Sequence, residues 1–242
     1  MAIRAITFDF WNTLYADEGQ AFRALTRRRL DHLARALAAA GADPSDSDLY
    51  QAYKDGFASY LAAWREQRHL GAVEHVSYIF QRFDAHPEDG AVERAARCIE
   101  EVGLGFHLTL QRGAAEAISQ LAGAGIKLGI ISDTGLTPGR VLLRFLERDD
   151  LLQYFSTATF SDQTGVAKPH PRMFMETLAA LGVPPPEAAH VGDMPRTDIA
   201  GALEQGMMAI RFAGYDDRRE PPPADAVIRD HRSLLRILEL PA

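Results

Sequence analysis

The segment AITFDFWNTLY, residues 5–15, joins a buried strand to a carboxylate. An apolar run that starts at residue 3 leads directly into Asp9, and the polar stretch that follows is typical of a loop. Open α/β proteins bind their ligands outside the carboxyl ends of their strands, so an acid at such an end predicts a site. Trp11 stands two residues later, at the same edge of the sheet. The segment therefore predicts an α/β fold with a functional site after its first strand.

The composition of the chain limits the cellular compartments and the classes of binding partner that we expect. Of 242 residues, 47% are hydrophobic and 24% are charged, and the net charge of −7 argues against nucleic acid or an anionic membrane as a partner. The single cysteine, Cys98, lies in a helical pattern and is expected to be a small buried residue in a reducing compartment. No apolar stretch approaches the ~20 residues of a membrane span, and a strand begins within three residues of the N-terminus, before any signal peptide could fit. We expect a cytoplasmic protein.

Helical patterning dominates the chain between about residues 20 and 104. Apolar residues recur there with a helical period in four stripes, at residues 22–37, 49–64, 73–83 and 92–102. Ser45 is a candidate N-cap for the second helix. We expect the stripes to form the core of a helical bundle. The aromatic stretches 61–64 and 80–83 could equally pack against a second copy of the chain, so the sequence leaves both a monomer and a homodimer open.

Strands and helices alternate after Gly113. Continuous apolar runs that alternate with helices indicate a parallel sheet covered on both faces, as in a doubly wound α/β fold. The predicted strands span residues 126–132, 155–161, 188–193, 207–213 and, with a weaker pattern, 225–230.

Polar side chains end several of these strands. Asp9, Ser132 and Asp193 each follow an apolar run, and Lys168 lies in the loop after a fourth. Two carboxylates at one sheet edge repel each other unless a cation lies between them. The simplest candidate is Mg²⁺, which takes carboxylate oxygens and shares a substrate's phosphate. Lys168 and Ser132 would then hold phosphate oxygens.

Four segments of the chain resemble the motifs of the haloacid dehalogenase superfamily. The segments are DFWNTL, IISDT, KPHPRMF and GDMPRTDIAGA, which begin at residues 9, 130, 168 and 192. Their order and spacing agree with the family, and the resemblance covers nearly the whole chain. It implies a Rossmann-like core domain of residues 1–15 and 110–242, with a helical cap domain of residues 16–109 inserted after the first motif.

The resemblance also implies a chemistry for the strand ends. Asp9 would be the nucleophile that forms an aspartyl-phosphate on a small phosphate monoester. Mg²⁺ would be held by Asp9, Asp193 and the backbone carbonyl of Trp11. Lys168 would be a second catalytic residue, and Asp198 would orient Lys168 or a metal-bound water rather than bind the metal.

The remaining candidates concern the phosphate. The resemblance implies that Ser132, Lys168 and Asn12 bind it. Asn12 stands where the family usually has glycine, and asparagine tolerates the left-handed backbone that such a turn requires. Asp133 either lines the site or caps the turn after Ser132, and we favour the cap.

Trp11 is the departure from the family pattern. Family phosphatases usually have a second Asp at this position, which acts as general acid and base, and such catalysis contributes typically ~10²–10⁴ in rate. An indole cannot replace it near neutral pH. A phosphatase could use an aryl or acyl phosphate, which needs no acid. Alternatively it could recruit an acid from elsewhere, and the candidates are Asp17, Glu18, His69, His75 and His107.

Other functions stay open. The dehalogenases of the family also have an aromatic residue at this position, and a halide leaves without a proton. These dehalogenases, however, need no metal and lack the metal-binding acid of the fourth motif. A 2-haloacid dehalogenase therefore ranks below a phosphatase. Phosphonate cleavage is a weaker variant, because it would need a cap lysine and Lys54 is the only one. The last alternative is a phosphate-binding or interaction module that has lost turnover, although an abandoned site would have no reason to keep a destabilising acid cluster.

Overall fold

The computed structural model describes residues 2–17, 21–105 and 108–239. Its strands are β1 (Ala5–Phe8), β2 (Tyr15–Ala16), β3 (Thr109–Leu110), β4 (Lys127–Ser132), β5 (Phe155–Phe160), β6 (Ala188–Gly192), β7 (Met208–Phe212) and β8 (Ala226–Ile228). Its helices are α1 (Ala21–Ala39), α2 (Asp46–Arg65), α3 (Ala72–Arg82), α4 (Ala91–Glu101), α5 (Ala114–Gly123), α6 (Gly139–Arg148), α7 (Ser161–Thr164), α8 (Pro171–Leu181), α9 (Ala200–Glu204) and α10 (Ser233–Ile237).

Six strands form a parallel sheet in the order β5-β4-β1-β6-β7-β8. Strand β1 lies in the middle, with Ala5 opposite Lys127 of β4 and Ala188 of β6. All four residues of β1 are buried, as expected of a parallel strand covered by helices on both faces. The predicted α/β class with a doubly wound sheet is confirmed. Because β4 and β6 flank β1, their carboxyl ends meet beside Asp9.

Helices α1 to α4 pack around a hydrophobic cluster of their own, and we call Ala21–Glu101 the helical insert. Leu33, Leu49, Val76 and Ile99, one from each helix, belong to that cluster. Helix α2 begins as predicted, because the Ser45 side chain accepts a hydrogen bond from the Asp48 amide at 3.2 Å. The short antiparallel pair β2–β3 lies where the chain leaves the sheet and returns to it.

One prediction about the insert is wrong. Cys98 was expected to be buried, but it is an exposed free thiol. Ala95 and Ile99 of the same helix face the cluster, and Cys98 lies about 100° around the helix from Ile99. No helix in the described part of the chain combines the length and the apolar character that a membrane crossing requires.

Candidate active site

Lys168 lies at the centre of the converging strand ends. It follows α7 in the loop that leads to α8, and it is 2% exposed. Its Nζ lies 2.6 Å from Asp9 Oδ1, 2.6 Å from Asp198 Oδ1 and 3.0 Å from the Ile131 carbonyl oxygen. The loop therefore inserts an ammonium between two carboxylates that follow different strands of the sheet, β1 and β6.

A one-turn π-helix over Pro195–Ile199 places Asp198 against Lys168. Asp198 Oδ2 accepts a hydrogen bond from the Met194 amide at 2.9 Å, which fixes the carboxylate at the N-terminal end of the turn. Gly192 makes room for it, since a Cβ on Gly192 would lie 2.2 Å from Asp198 Cγ. Asp198 therefore lies in direct contact with Lys168, and its orienting role stays a prediction.

His190 is a neighbour of the site that the sequence did not assign to it. Its Nε2 lies 3.2 Å from Asp198 Oδ1, and its Nδ1 lies 2.8 Å from the Thr7 hydroxyl. His190 is a residue of β6 and is 0% exposed. The available signal was its register, because β6 pairs with β1 and places His190 opposite Thr7, two residues before Asp9.

Asp193 supplies an oxygen that lacks a partner. Its Oδ2 is buried and has no hydrogen-bond partner in the described chain, and the guanidinium of Arg218 lies 3.6 Å away. Asp193, Asp9 and Asp198 offer carboxylate oxygens that all lie within 4.8 Å of one another. Three buried carboxylates and an unsatisfied oxygen fit a hard divalent cation, which takes oxygen ligands.

The pKa values of the cluster reflect the same crowding. Burial, together with the charges of Asp9 and Asp198, raises the pKa of Asp193 to about 8. Burial likewise raises the pKa of Asp9 to about 6, although Lys168 opposes the shift. Burial alone would lower the pKa of Lys168, but Asp198, Asp9 and Asp133 raise it on balance, so Lys168 stays charged. A cation beside Asp193 would favour its ionised form, because it would offset the neighbouring charges.

The other predicted residues lie around Asp9. The Ser132 hydroxyl lies 3.2 Å from Asp9 Oδ1. Asn12 has the left-handed backbone that its position was expected to require, with φ of 58°. The favoured capping role of Asp133 in the turn after Ser132 is wrong. Its carboxylate instead accepts hydrogen bonds from the Lys168 amide at 2.9 Å and from Trp64 Nε1 at 2.8 Å, which links the helical insert to the lysine loop.

A cavity of about 260 Å³, which we call the catalytic cavity, opens over these residues. Its described lining comprises Asp9, Trp11, Asn12, Phe57, Tyr60, Leu61, Trp64, Asp133, Lys168, Asp193, Met194, Thr197 and Asp198. Of the acids proposed to stand in for Trp11, Asp17, His69 and His75 are not part of that lining. Glu18 and His107 lie outside the described residues.

The aromatic stripe of α2 divides between two environments. Leu49 and Tyr53 pack into the insert cluster, as predicted. Phe57, Tyr60 and Trp64 line the catalytic cavity instead, so the prediction that they form bundle core is wrong. A helical period identifies an apolar face but not what covers it, and here the covering surface is the sheet edge.

The comparisons with known proteins agree with this geometry. A family model described as haloacid dehalogenase-like hydrolase matches residues 3–206. The chain is 29% identical to a glyceraldehyde 3-phosphate phosphatase of Methanopyrus kandleri, over 98% of this chain and 97% of that protein. It is 34% identical to the phosphatase of the same name from Pyrococcus furiosus, over 68% and 69% of the two chains. The fold is similar to that of a 2-haloacid dehalogenase from Pseudomonas syringae pv. Tomato DC3000, with a TM-score of 0.69, 24% identity and 98% of both chains covered.

Proposed function

The chain belongs to the haloacid dehalogenase-like hydrolases, and on that premise we propose that it is a magnesium-dependent phosphatase of a small phosphorylated metabolite. The observation that carries the proposal is Lys168 Nζ at 2.6 Å from Asp9 Oδ1, beside the buried Asp193 oxygen that lacks a hydrogen-bond partner. The named activity of the relatives from Methanopyrus kandleri and Pyrococcus furiosus supports a phosphate monoester as the substrate.

Asp9 acts as the nucleophile in this proposal. Lys168 and Ser132 both contact Oδ1, which leaves Oδ2 for the attack on phosphorus. The new bond joins Asp9 Oδ2 to phosphorus, and the bond between phosphorus and the leaving oxygen breaks. Water then attacks phosphorus, releases inorganic phosphate and regenerates the Asp9 carboxylate. Lys168 offsets the negative charge of the phosphoryl oxygens throughout.

Asp9, Asp193 and the Trp11 carbonyl would hold Mg²⁺. A bound magnesium ion supplies positive charge that stabilises the transferring phosphoryl group. Asp198 keeps Lys168 in place, because its carboxylate is itself held by the Met194 amide and by His190. Asn12 and the loop at Ser132 and Asp133 surround the position of the phosphate.

Dehalogenation is the second candidate, because the fold is also similar to that of a 2-haloacid dehalogenase and an aromatic residue occupies position 11. The acid cluster favours the phosphatase. Attack on carbon needs no metal, whereas Asp193 adds a third buried carboxylate within 4.8 Å of Asp9 and Asp198, which Lys168 alone does not offset and a divalent cation would.

We also propose the organisation that the family resemblance implies. Residues 16–109 act as a cap domain over a core of residues 1–15 and 110–242, and substrate enters between them. The cap would exclude water from the aspartyl-phosphate. We propose a cytoplasmic enzyme that works as a monomer or a homodimer, without nucleic acid or membrane as a partner.

Product analysis tests the proposed function. The purified protein is incubated with 4-nitrophenyl phosphate and Mg²⁺, with the same ester and a chelator, and separately with 2-chloropropionate. We expect phosphate release that requires Mg²⁺ and disappears in Asp9→Asn, and no chloride release. Chloride release that persists in the chelator would replace the phosphatase with the dehalogenase. If neither phosphate nor chloride is released under any of these conditions, a binding module without turnover is favoured.

A further inference from the structure

A second cavity adjoins the catalytic cavity on the side of the helical insert. Its volume is about 320 Å³, and its walls include Trp11, Phe57 and Tyr60, which also line the catalytic cavity. The two cavities therefore adjoin at these three side chains. The second space lies next to the position that a substrate would occupy with its phosphate at Asp9.

Arg29 of α1 contributes the charge in this second cavity. The residue is 5% exposed, and its hydrogen bonds go to neutral acceptors. Its Nε donates to the Ile99 carbonyl at 2.9 Å, and one terminal nitrogen donates to the Leu136 carbonyl at 2.7 Å and to the Thr137 hydroxyl at 2.8 Å.

No carboxylate of the described chain forms an ion pair with Arg29, although ion pairs are frequent elsewhere in the molecule. An arginine stays charged at physiological pH, and although the Glu100 carboxylate interacts with Arg29 electrostatically, a buried charge without a close ion pair is costly. A guanidinium that is buried, charged and in the wall of a cavity is a ready partner for an anion from outside the chain.

We propose that the second cavity binds the leaving group, and that the substrate is a phosphate monoester with a flat aromatic body and a carboxylate that pairs with Arg29. The inference rests on the proposed phosphatase function and names its substrate class. The rings of Trp11, Phe57 and Tyr60 provide the surface for the aromatic body, because offset stacking and edge contacts suit such rings.

The anion is a carboxylate rather than a second phosphate. Arg29 is the only Lys or Arg in the described lining of this cavity, and a phosphate dianion would need further positive charge. A carboxylate carries a single charge, which one guanidinium can offset. The class also fits Trp11, since a carboxylated phenol leaves as a stable phenoxide and needs no proton from residue 11.

Paired esters test the proposal. Each pair consists of an aryl phosphate with a carboxylate and its twin with a neutral primary carboxamide, in three lengths: carboxyphenyl, carboxymethylphenyl and carboxynaphthyl. We measure kcat/KM with Mg²⁺ for wild type, Arg29→Met and Arg29→Lys. In wild type, at least one carboxylate should exceed its amide by about tenfold or more, as expected for a charge-assisted hydrogen bond.

The ratio of kcat/KM for the carboxylate ester to kcat/KM for its carboxamide twin does not change when a variant loses activity on both esters alike. A change in this ratio therefore reports recognition of the carboxylate and not the loss of the structural hydrogen bonds of Arg29. We expect the ratio to fall to about one in Arg29→Met and to an intermediate value in Arg29→Lys. If Arg29→Met does not fold, calorimetric binding of 4-hydroxybenzoate against 4-hydroxybenzamide to wild type and Arg29→Lys decides the question, with the carboxylate expected to bind wild type more tightly.

The possible failures are distinguishable. If wild type hydrolyses every pair with equal kcat/KM, the phosphatase stands and the carboxylate subsite is refuted. A wild-type preference that survives unchanged in Arg29→Met also refutes the subsite. If no ester yields phosphate, the proposed function itself fails.

Discussion

The two walls of the catalytic cavity are built from different chemistry. The wall formed by the strand ends presents the buried residues Asp9, Lys168 and Asp193, and short contacts hold the Lys168 ammonium against Asp9 and Asp198. The wall formed by the helical insert and position 11 presents Trp11, Phe57 and Tyr60, which are aromatic. Under the proposed function, the contrast assigns the chemistry of the phosphoryl group to the sheet and the environment of the leaving group to the insert. The polar wall would act on the phosphate, and the aromatic wall would restrict which ester reacts.

Asp9→Asn should have the largest effect on the polar wall. The amide keeps the shape of the side chain but removes the nucleophile, and loss of a nucleophile lowers kcat by on the order of 10⁴–10⁶. Phosphate release in single-turnover and steady-state assays measures the loss. Because Asp9 belongs to a crowded acid cluster, the variant should unfold at the same temperature as wild type or higher. Wild-type turnover in Asp9→Asn would remove the residue from the mechanism.

Trp11→Asp replaces one ring of the aromatic wall with a carboxylic acid. A carboxylic acid at position 11 should protonate alkyl leaving groups, and turnover of alkyl phosphates should rise by up to ~10²–10⁴. Aryl phosphates should gain much less, because their leaving groups depart without a proton. Trp11→Phe is the matched control, since it keeps most of the ring volume and adds no acid.

A stability measurement must accompany the Trp11 variants. Trp11 is half-buried against the Phe10 ring, with 5.3 Å between ring centroids, so its removal costs up to about 3–5 kcal/mol of unfolding free energy. If Trp11→Asp is folded and binds Mg²⁺ but is no faster than Trp11→Phe on alkyl phosphates, then position 11 does not limit protonation.

Asp193→Asn should weaken the proposed metal site within the polar wall. The buried Asp193 oxygen would lose its charge, and Mg²⁺ affinity measured by calorimetry should fall by at least about tenfold. Asp89→Asn, in an exposed loop of the insert, is the control for the loss of one acid and should bind Mg²⁺ as wild type does. Equal affinity in Asp193→Asn and wild type would exclude Asp193 as a metal ligand.

Trp64→Phe should have the smallest effect, because it removes one hydrogen bond that joins the two walls. The Asp133 carboxylate would lose the donor at 2.8 Å while keeping the Lys168 amide. We expect the unfolding free energy in urea to fall by about 1–2 kcal/mol and kcat/KM to fall a few-fold. Tyr50→Phe, which changes an exposed ring of the same helix, should leave both quantities unchanged. Equal stability of the two variants would mean that the bond to Asp133 contributes nothing.

The two walls also differ in how much the sequence predicted. Asp9, Ser132, Lys168 and Asp193 were all placed at one sheet edge in advance, because apolar strands that end in polar residues can meet only there. The left-handed turn at Asn12 followed from its place in the first motif. The convergence of the strand ends needs only the order of the strands along the chain and the parallel direction of the sheet, whereas the turn at Asn12 was implied by the family resemblance.

The aromatic wall could not be predicted in the same way. Phe57, Tyr60 and Trp64 continue the helical period of Leu49 and Tyr53, and periodicity does not distinguish bundle core from cavity lining. The contacts of Asp133 and Trp64 join residues 69 positions apart, and no local pattern encodes such a pair. His190 remained unassigned because its contact with Asp198 depends on the π-helical turn between them.

The division of the catalytic cavity into a polar wall and an aromatic wall is tested most directly by how kcat/KM depends on the pKa of the leaving alcohol. We would measure kcat/KM with saturating Mg²⁺ for a series of phosphate esters whose leaving alcohols range from acidic phenols to simple alkanols, using wild type and Trp11→Asp. Without a proton donor on the aromatic wall, the logarithm of the wild-type rate should fall steeply as the pKa of the leaving alcohol rises. The slope should flatten in Trp11→Asp. A flat wild-type dependence would contradict the account, because it would show that the enzyme protonates its leaving group by a residue that the aromatic wall does not contain.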